Sequence, residues 1–376
     1  MTYKNVIYLV LLVAFFSCKS QMIKEETPIK AKNVILLIGD GTGLSQVSSA
    51  FYFKKTSPNY ARFKYIGLIN TSSSREDITD SSAGGTAFAS GVKTYNGAVG
   101  VADDSTEVKN IVEIASLQHI KTGLVSTSSI QHATPASFYA HVTNRGLYED
   151  IAADMVGSDI DFFAGGGTKF FNKRKDGKNL LEALKMKGFG IDTMALGDFA
   201  EIKQQSKMAY LLAEEHMDPM AKGRGDFLPK ATELGIQFLT KDVANSDFFI
   251  MIEGSQVDWG GHDNNADYLI SELIDFDDAI GKALDFAEKD GNTLVIVTAD
   301  HETGGFTLSS TVKKTEDGES YSDYNEITGT FSTNGHSATL IPVFAYGPGA
   351  EAFSGVYENT EIFHKILEAT NWDKRN

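Results

Sequence analysis

Continuous apolar runs alternate along this chain with segments of helical periodicity. The runs at 34–38, 121–126, 247–252, 293–298 and 339–344 predict strands, and the first of them is apolar enough to be buried on both faces. Strands that alternate with helices favour a mainly parallel sheet. The pattern therefore predicts an α/β fold, a three-layer sandwich with a central sheet and helices on both faces. One predicted helix follows the first strand and ends at residue 53. Three others span 106–118, 229–241 and 268–288.

Acidic residues follow three of the predicted strands. Asp40 comes after the first strand, Glu253 after the run that ends at 252, and Asp300 after the run that ends at 298. Thr134 follows the strand at 121–126 after a short loop. Open parallel sheets bind ligands at the carboxyl ends of their strands, so these side chains are expected at one edge. The Ser/Thr/Glu/Lys-rich segment 310–333 is predicted as a small excursion from the sheet.

A serine stands at a predicted helix start in the segment 79–87. Ser81 follows Asp80 and precedes small or helix-compatible residues, which places it on the first helical turn. Unpaired backbone N–H groups and the helix dipole favour an anion and a deprotonated hydroxyl at such a position. Taken alone, the pair Asp80-Ser81 favours a simple helix cap.

Histidines and carboxylates occur in local groups with spacings that suit metal binding. Asp258 and His262 stand four residues apart and would share one face of a helical turn, and Asp300 directly precedes His301. A further histidine, His336, follows a glycine. Mixed carboxylate and imidazole ligands suit Zn²⁺, whereas oxygen-only ligands suit Mg²⁺. Each group alone also has a simpler reading as a surface hydrogen bond, a cap or a loop residue.

Charge and the N-terminal segment limit the possible partners. The 376 residues carry a formal net charge of -16, which argues against a nucleic-acid-binding surface or a general attraction to anionic membranes.

Residues 1–17 contain an apolar run too short to span a bilayer and resemble a signal peptide. The single cysteine, Cys18, follows directly, so the chain is expected to be exported, either as a periplasmic protein or as an outer-membrane lipoprotein acylated at Cys18. A linker at 18–32 and one domain at 33–376 complete the predicted organisation.

Residues 33 to about 372 resemble the alkaline phosphatase family of metal-dependent phosphomonoesterases. The resemblance rests on several motifs in the family's order, which together are far more specific than any one of them. The matching segments are Asp80-Ser81 with Thr86-Ala87, Gly91-Val92-Lys93-Thr94-Tyr95-Asn96, His132-Ala133-Thr134-Pro135-Ala136, His141-Val142-Thr143-Asn144-Arg145, the set Glu253, Asp258 and His262, Thr298-Ala299-Asp300-His301, and Gly335-His336.

The resemblance implies two zinc sites, one magnesium site and a covalent phosphoserine route. Ser81 would be the nucleophile, and Arg145 would bind two phosphate oxygens of a small phosphate monoester. It also implies a homodimer. The implied ligands are Asp258, His262 and His336 for the first zinc, Asp300, His301 and Asp40 for the second, and Asp40, Thr134 and Glu253 for magnesium.

Three further residues, none of them an implied metal ligand, bear on how the phosphate would be held. His132 stands where some family members carry aspartate, and Trp259 stands where some carry lysine. If these residues lie beside the phosphate, their neutral side chains would hold it less tightly and speed its release; otherwise they are ordinary packing residues. Asp80 is expected to orient Arg145 rather than to bind metal.

Other substrates and a function without turnover remain as alternatives. Relatives on the same fold cleave phosphodiesters or sulfate esters, or move phosphate within a sugar acid. The diesterases commonly use threonine, and the sulfatases need Pro and Arg two and four places after the nucleophile, whereas Ser81 is followed by Ser82-Ala83-Gly84-Gly85. A surface lipoprotein that only binds phosphate or metal is the alternative from another class.

Overall fold

The computed structural model describes residues 30–242 and 247–374. The predicted signal peptide at 1–17, Cys18 and most of the linker at 18–32 lie outside these residues. The strands are β1 Asn33–Gly39, β2 Tyr65–Asn70, β3 Lys121–Ser129, β4 Phe162–Gly166, β5 Phe189–Asp192, β6 Lys207–Leu211, β7 Phe248–Gly254, β8 Thr293–Thr298, β9 Glu302–Thr303, β10 Thr307–Lys314, β11 Ser320–Thr330, β12 His336–Ser337, β13 Ile341–Tyr346 and β14 Gly355–Glu358. The α-helices are α1 Leu44–Phe53, α2 Ser81–Ser90, α3 Ile111–Leu117, α4 Ala133–Ala136, α5 Tyr148–Gly157, α6 Thr168–Asn172, α7 Leu180–Met186, α8 Phe199–Ile202, α9 Phe227–Leu239, α10 Gln256–His262, α11 Ala266–Asp290 and α12 Glu361–Thr370.

A ten-stranded sheet organises the fold and confirms the predicted α/β class. Its strand order is β14-β2-β13-β8-β1-β7-β3-β4-β6-β5. All neighbouring strands run parallel except β13, which is antiparallel to both β2 and β8. After β8 the chain stays at the carboxyl edge of the sheet through β12, so β13 begins at that edge and has to run back. Its direction follows from the path of the chain and not from its own apolar residues.

The alternation of side chains along β1 shows how the sheet separates two cores. Val34, Leu36 and Ile38 pack into the cluster on one face, whereas Ile35 and Leu37 pack into the cluster on the other face. Successive side chains of a strand point to opposite faces, so a central strand covered on both sides needs an uninterrupted apolar run. This is the physical basis of the sequence pattern from which the strand was predicted.

Several element boundaries differ from the prediction. The helix predicted at 106–118 begins only at Ile111, because Asn110 caps it and accepts a hydrogen bond from the Glu113 N–H at 3.0 Å. The sequence pattern also missed β2, β4, β5 and β6, which have only four to six residues each. Runs this short provide too few positions for a periodicity to stand out.

An antiparallel hairpin, β10–β11, lies outside the main sheet and spans most of the segment 310–333. Its strands pair mostly exposed residues, and β10 neighbours α1. Among the described residues, no helix is both long and apolar enough to cross a membrane.

Candidate active site

The start of α2 holds Ser81 at the carboxyl edge of the sheet. Asp80 is the N-cap residue and accepts hydrogen bonds from the Ala83 N–H at 3.0 Å and from the Ser82 hydroxyl at 2.7 and 2.8 Å. Ser81 itself is 3% exposed, and its Oγ lies 3.4 Å from Nε2 of His301. The cap and the serine are therefore adjacent but separate groups, because Asp80 satisfies the helix end and leaves the Ser81 hydroxyl directed at the histidine.

Asp80 also contacts Arg145. The Arg145 Nη1 donates to Asp80 Oδ2 at 2.9 Å, and the Gly97 N–H donates to the same oxygen at 3.0 Å. Burial opposes the ionisation of Asp80, but the charge of Arg145 and the hydrogen bonds from Ala83 and Ser82 hold its pKa below the ordinary value. Asp80 is thus a carboxylate at neutral pH and holds the guanidinium near Ser81.

Asp258, His262 and His336 form the first candidate metal group. Nε2 of His262 lies 3.3 Å from Oδ1 of Asp258 and 3.2 Å from Nε2 of His336. Backbone carbonyls lie beside the other ring nitrogens, with Asn334 O at 2.6 Å from His262 Nδ1 and Thr79 O at 2.9 Å from His336 Nδ1. A carbonyl can only accept, so both Nδ1 atoms carry protons and both Nε2 lone pairs face the carboxylate. Such a set of facing acceptors suits a shared cation.

His301, Asp300 and Asp40 form the second group. Nε2 of His301 lies 3.3 Å from Asp300 Oδ2 and 3.6 Å from Asp40 Oδ1. The Thr303 hydroxyl donates to Asp258 Oδ1 at 2.5 Å, so its oxygen is left to accept from His301 Nδ1 at 3.2 Å. That tautomer again leaves the His301 Nε2 lone pair directed at two carboxylates and at Ser81.

The third group combines Asp40 with Glu253, Thr134 and His132. One ligand atom each from Asp40, His132 and Glu253 lies within 4.8 Å of the others. Buried polar atoms without a hydrogen-bond partner point to the same place: both oxygens of Asp40, Oε1 of Glu253, Oγ1 of Thr134 and Nδ1 of His132. Buried polar groups are rarely left unpaired, so these atoms fit an oxygen-rich cation site.

Three serines hold Glu253 through hydrogen bonds to Oε2, the oxygen other than the unpaired Oε1. Ser126 and Ser255 donate to Glu253 Oε2 at 2.6 and 2.7 Å, and Ser128 donates to it at 3.3 Å. The sequence analysis did not select these serines or Thr303. The run of hydroxyl residues Ser126-Thr127-Ser128-Ser129 at the end of β3 was a visible signal, whereas nothing marked Thr303 except its place two residues after His301.

The electrostatics of the cluster match a site for cations. Burial, together with the charges of Asp300, Asp258 and Glu253, raises the pKa of Asp40 well above its ordinary value. Burial likewise raises the pKa of Asp300 and of Glu253. Burial and the neighbouring His336 lower the pKa of His301 far below its usual value. Carboxylates crowded in this way ionise readily only when a cation compensates them.

His132 and Trp259 lie together beside Arg145, next to a third ring, that of His216. Nε2 of His132 is 3.4 Å from Nη2 of Arg145, and its ring centroid is 6.0 Å from that of Trp259. The ring of His216 contacts both, at 5.7 Å from His132 and 4.8 Å from Trp259. Burial, Arg145 and His216 hold the pKa of His132 well below its ordinary value, so its ring is neutral.

His141 is a structural histidine with a consequence for stability. Its ring contacts Glu113 Oε1 at 3.3 Å and the Gly100 carbonyl at 2.6 Å, and the bond with Glu113 is the main cause that raises its pKa from 6.5 to about 9. Because the folded-state pKa is the higher one, this stabilisation is complete below the unfolded-state pKa and is lost as the pH rises through about 9.

Between pH 6 and pH 10, we expect the free energy of unfolding to fall by about 1–2 kcal/mol more in the wild type than in His141→Asn. This figure allows for screening by solvent, because Glu113 is partly exposed. Urea unfolding at both pH values measures it. His119→Asn, which changes an exposed histidine, is the matched control and should follow the wild type. Equal pH dependence in His141→Asn and the wild type would contradict the assignment.

Comparisons with known proteins agree with this arrangement. A family profile described as "Alkaline phosphatase" matches residues 31–327 and 309–372. The chain is 34% identical to alkaline phosphatase 3 of Bacillus subtilis (strain 168), over 91% of this chain and 89% of that protein. It is 30% identical to alkaline phosphatase of Escherichia coli (strain K12), over 90% of this chain and 86% of that protein.

Solved structures show the same fold. The alkaline phosphatase from the Antarctic bacterium TAB5 is 66% identical, with a TM-score of 0.89, and the match covers 92% of this chain and 99% of that one. A His-to-Asp mutant of TAB5 alkaline phosphatase "with Mg bound in the M3 site" is 68% identical, with a TM-score of 0.90 and the same coverage.

These matches and the metal-type ligand groups define a metal-binding hydrolase on an α/β sheet. The chain belongs to the alkaline phosphatase family, and it is accordingly a phosphoric monoester hydrolase.

Proposed function

We propose that the enzyme hydrolyses phosphate monoesters through a phosphoserine formed on Ser81. The observation that supports this most directly is the position of the Ser81 hydroxyl, buried at the N-terminus of α2 and 3.4 Å from His301 Nε2. A serine is a weak nucleophile unless its proton is removed or its pKa is lowered. The helix dipole and the adjoining candidate metal groups both favour the alkoxide.

The three ligand groups fit two zinc ions and one magnesium ion. Asp258, His262 and His336 would hold the first zinc, and Asp300, His301 and Asp40 the second. Asp40, Thr134 and Glu253 would hold magnesium, with His132 beside them. When bound, such ions lower the pKa of a coordinated hydroxyl or water and stabilise the charge on the leaving oxygen.

The protein side chains supply binding and orientation. Arg145 would grip two oxygens of the phosphoryl group with its planar guanidinium, which suits a dianionic monoester. Asp80 restricts the guanidinium to one orientation through the contact at 2.9 Å. The Ser82 hydroxyl and the Gly97 N–H hold Asp80 in turn, so the phosphate-binding fork is set before substrate arrives.

Asp80→Asn is expected to weaken the binding of inorganic phosphate by about tenfold while leaving the zinc content unchanged, because the amide keeps the helix cap but loses the ion pair with Arg145. The inhibition constant for phosphate and metal analysis of the same preparation measure the two effects. Asp103→Asn is a matched control, since Asp103 pairs with Arg75 at 2.9 Å on the surface. Loss of zinc in Asp80→Asn would show that Asp80 serves the metal site instead.

His132 and Trp259 are proposed to weaken the hold on phosphate, because both side chains are neutral. His132→Asp combined with Trp259→Lys is therefore expected to tighten phosphate binding by about tenfold, since an ammonium anchored by a carboxylate would then face the anion. Product inhibition measures the change, and single Trp259→Lys separates the contribution of the new positive charge. Unchanged phosphate affinity in the double variant would contradict this role.

Substrate class can be tested directly against the alternatives. The proposal expects release of nitrophenol from its phosphate monoester to exceed release from the corresponding diester and sulfate ester, and to be lost with a chelator. Preference for the diester or sulfate would reassign the chemistry, and binding of phosphate without turnover would mark a binding protein.

Export and dimerisation are further proposals. The short apolar segment and Cys18 favour an exported protein, with membrane attachment only through a lipid on Cys18. A homodimer is supported by exposed apolar side chains on α1, of which Phe51 is 52% and Tyr52 63% exposed. Mass spectrometry of the mature N-terminus and the molar mass in solution test these two proposals.

A further inference from the structure

A pocket opens beside the segment that follows Arg145. Its volume is about 570 Å³, and its wall begins at Gly146, the residue that follows Arg145. Tyr148, at the start of α5, and Phe170, in α6, contribute its rings, and Lys169 and Lys173 lie around them. None of the side chains that line the pocket was selected from the sequence.

The two aromatic side chains form a stacked pair in the wall of this pocket. Their ring centroids are 4.7 Å apart and their planes differ by 12°, so Tyr148 and Phe170 are stacked. The Lys169 ammonium lies 4.9 Å from the centroid of Phe170. Both rings are only half-buried. A stacked pair that is partly open to solvent offers an apolar face to a third flat ring.

The pocket shares its edge of the sheet with the phosphate site. Gly165–Gly167 connects β4 to α6 at the carboxyl end of a strand that pairs with β3, whose own carboxyl end leads to His132 and Thr134. Lys169 pairs with Glu215, the neighbour of His216, and the ring of His216 is 4.8 Å from Trp259. The pocket is therefore connected to the residues around Arg145 through Gly146 and through the pair Lys169–Glu215.

Charges in the wall are balanced. Lys169 pairs with Glu215, and Lys173 pairs with Glu214. Glu149, Asp150 and a third lysine, Lys175, also line the pocket. These carboxylates compensate the lysines, so the pocket has no marked excess of positive charge to attract a second phosphate. A neutral flat group with polar edges suits it better than another anion.

We propose that this pocket binds the leaving group of aromatic phosphate monoesters, and of nucleoside 5′-monophosphates in particular, with the base stacked on the outer face of Tyr148, whose inner face packs on Phe170. The inference rests on the proposed function, because the phosphoryl group has to lie between Ser81 and Arg145 for the alcohol portion to reach the pocket. Tyr148 is then a specificity-determining residue that touches the part of the substrate that leaves, and Phe170 is a positioning residue that supports its ring.

Tyr148→Ala combined with Phe170→Ala tests the proposal through a ratio of substrates. We expect the ratio of kcat/KM for adenosine 5′-monophosphate to kcat/KM for glycerol phosphate to fall about five- to tenfold, as stacking on aromatic side chains contributes this much or more to binding a base. Tyr148→Phe keeps the ring and should retain the wild-type ratio. Tyr324→Ala removes a tyrosine that is 84% exposed on the hairpin and is the matched control.

The outcomes separate this proposal from the one on which it rests. If the wild type hydrolyses neither substrate, the proposed function fails. If it hydrolyses both and the double variant keeps the same ratio, the leaving-group pocket is wrong. Should the double variant not fold, adenosine itself provides the test with wild-type enzyme: competitive inhibition of glycerol phosphate hydrolysis is expected, and no inhibition up to the solubility limit of adenosine overturns the proposal.

Discussion

Replacing Ser81 with alanine is expected to lower kcat for phosphate monoesters by about three to five orders of magnitude, because the proposed covalent route would lose its nucleophile. The remaining activity would come from direct attack of water on a phosphate that Arg145 still holds. None of the three proposed metal groups depends on the Ser81 side chain. We therefore expect Ser81→Ala to keep the metal content and the fold of the wild type. Steady-state kinetics and metal analysis of one preparation measure both.

Ser90→Ala is the control for this substitution, since Ser90 ends the same helix and donates only to the Thr86 carbonyl at 2.7 Å. Its activity should match the wild type. Acid quenching during turnover is expected to trap one phosphoryl group on the peptide that contains Ser81. A Ser81→Ala enzyme with more than a tenth of wild-type kcat, or a phosphoryl group trapped on another residue, would contradict the mechanism.

Removing the metals is expected to abolish activity and to lower Tm by about 10 °C, since a ligand bound only by the folded state stabilises it by about 4 kcal/mol at a thousandfold excess over its Kd. The reason lies in the buried carboxylates: Asp40 and Asp300 are fully buried, and Asp40 has no hydrogen-bond partner for either oxygen. Without cations these groups repel one another in a medium that solvates charge poorly.

Calorimetry and metal analysis provide readouts other than activity. The purified enzyme should contain two zinc ions and one magnesium ion per chain, and zinc added back should release protons, because burial raises the pKa of Asp40 in the metal-free protein. Chelator saturated with zinc beforehand is the control and should change nothing. Full activity or an unchanged Tm after complete metal removal would refute the cation assignment.

Local sequence was sufficient for the parts of the site that depend on one segment. Asp80 caps α2 and Ser81 begins it, as the small residues after them indicate. Asp258 and His262 lie on one turn of α10, which the spacing of four residues predicts. In each case the partners are close along the chain, so backbone geometry alone brings them together.

Tertiary structure determined which distant groups meet. Thr303 Oγ1 reaches Asp258 because Gly41, Asp258 and Thr303 pack closely: a Cβ at Gly41 would lie 2.6 Å from the Asp258 Cα, and Gly41 has a φ of 75°. Ser126 reaches Glu253 across 127 residues because β3 and β7 pair in register. No local pattern specifies that register.

The sequence by itself determined the α/β class, the apolar strands at the centre of the sheet and the carboxylates that follow them, because hydrophobic periodicity and strand ends are local properties. Only the tertiary structure decided the reversal of β13, the tautomers of His262, His301 and His336, the contact of His216 with Trp259, and the pocket lined by Tyr148 and Phe170. These features depend on strand order and side-chain packing between segments far apart in the chain, and those contacts exist only once the sheet has formed.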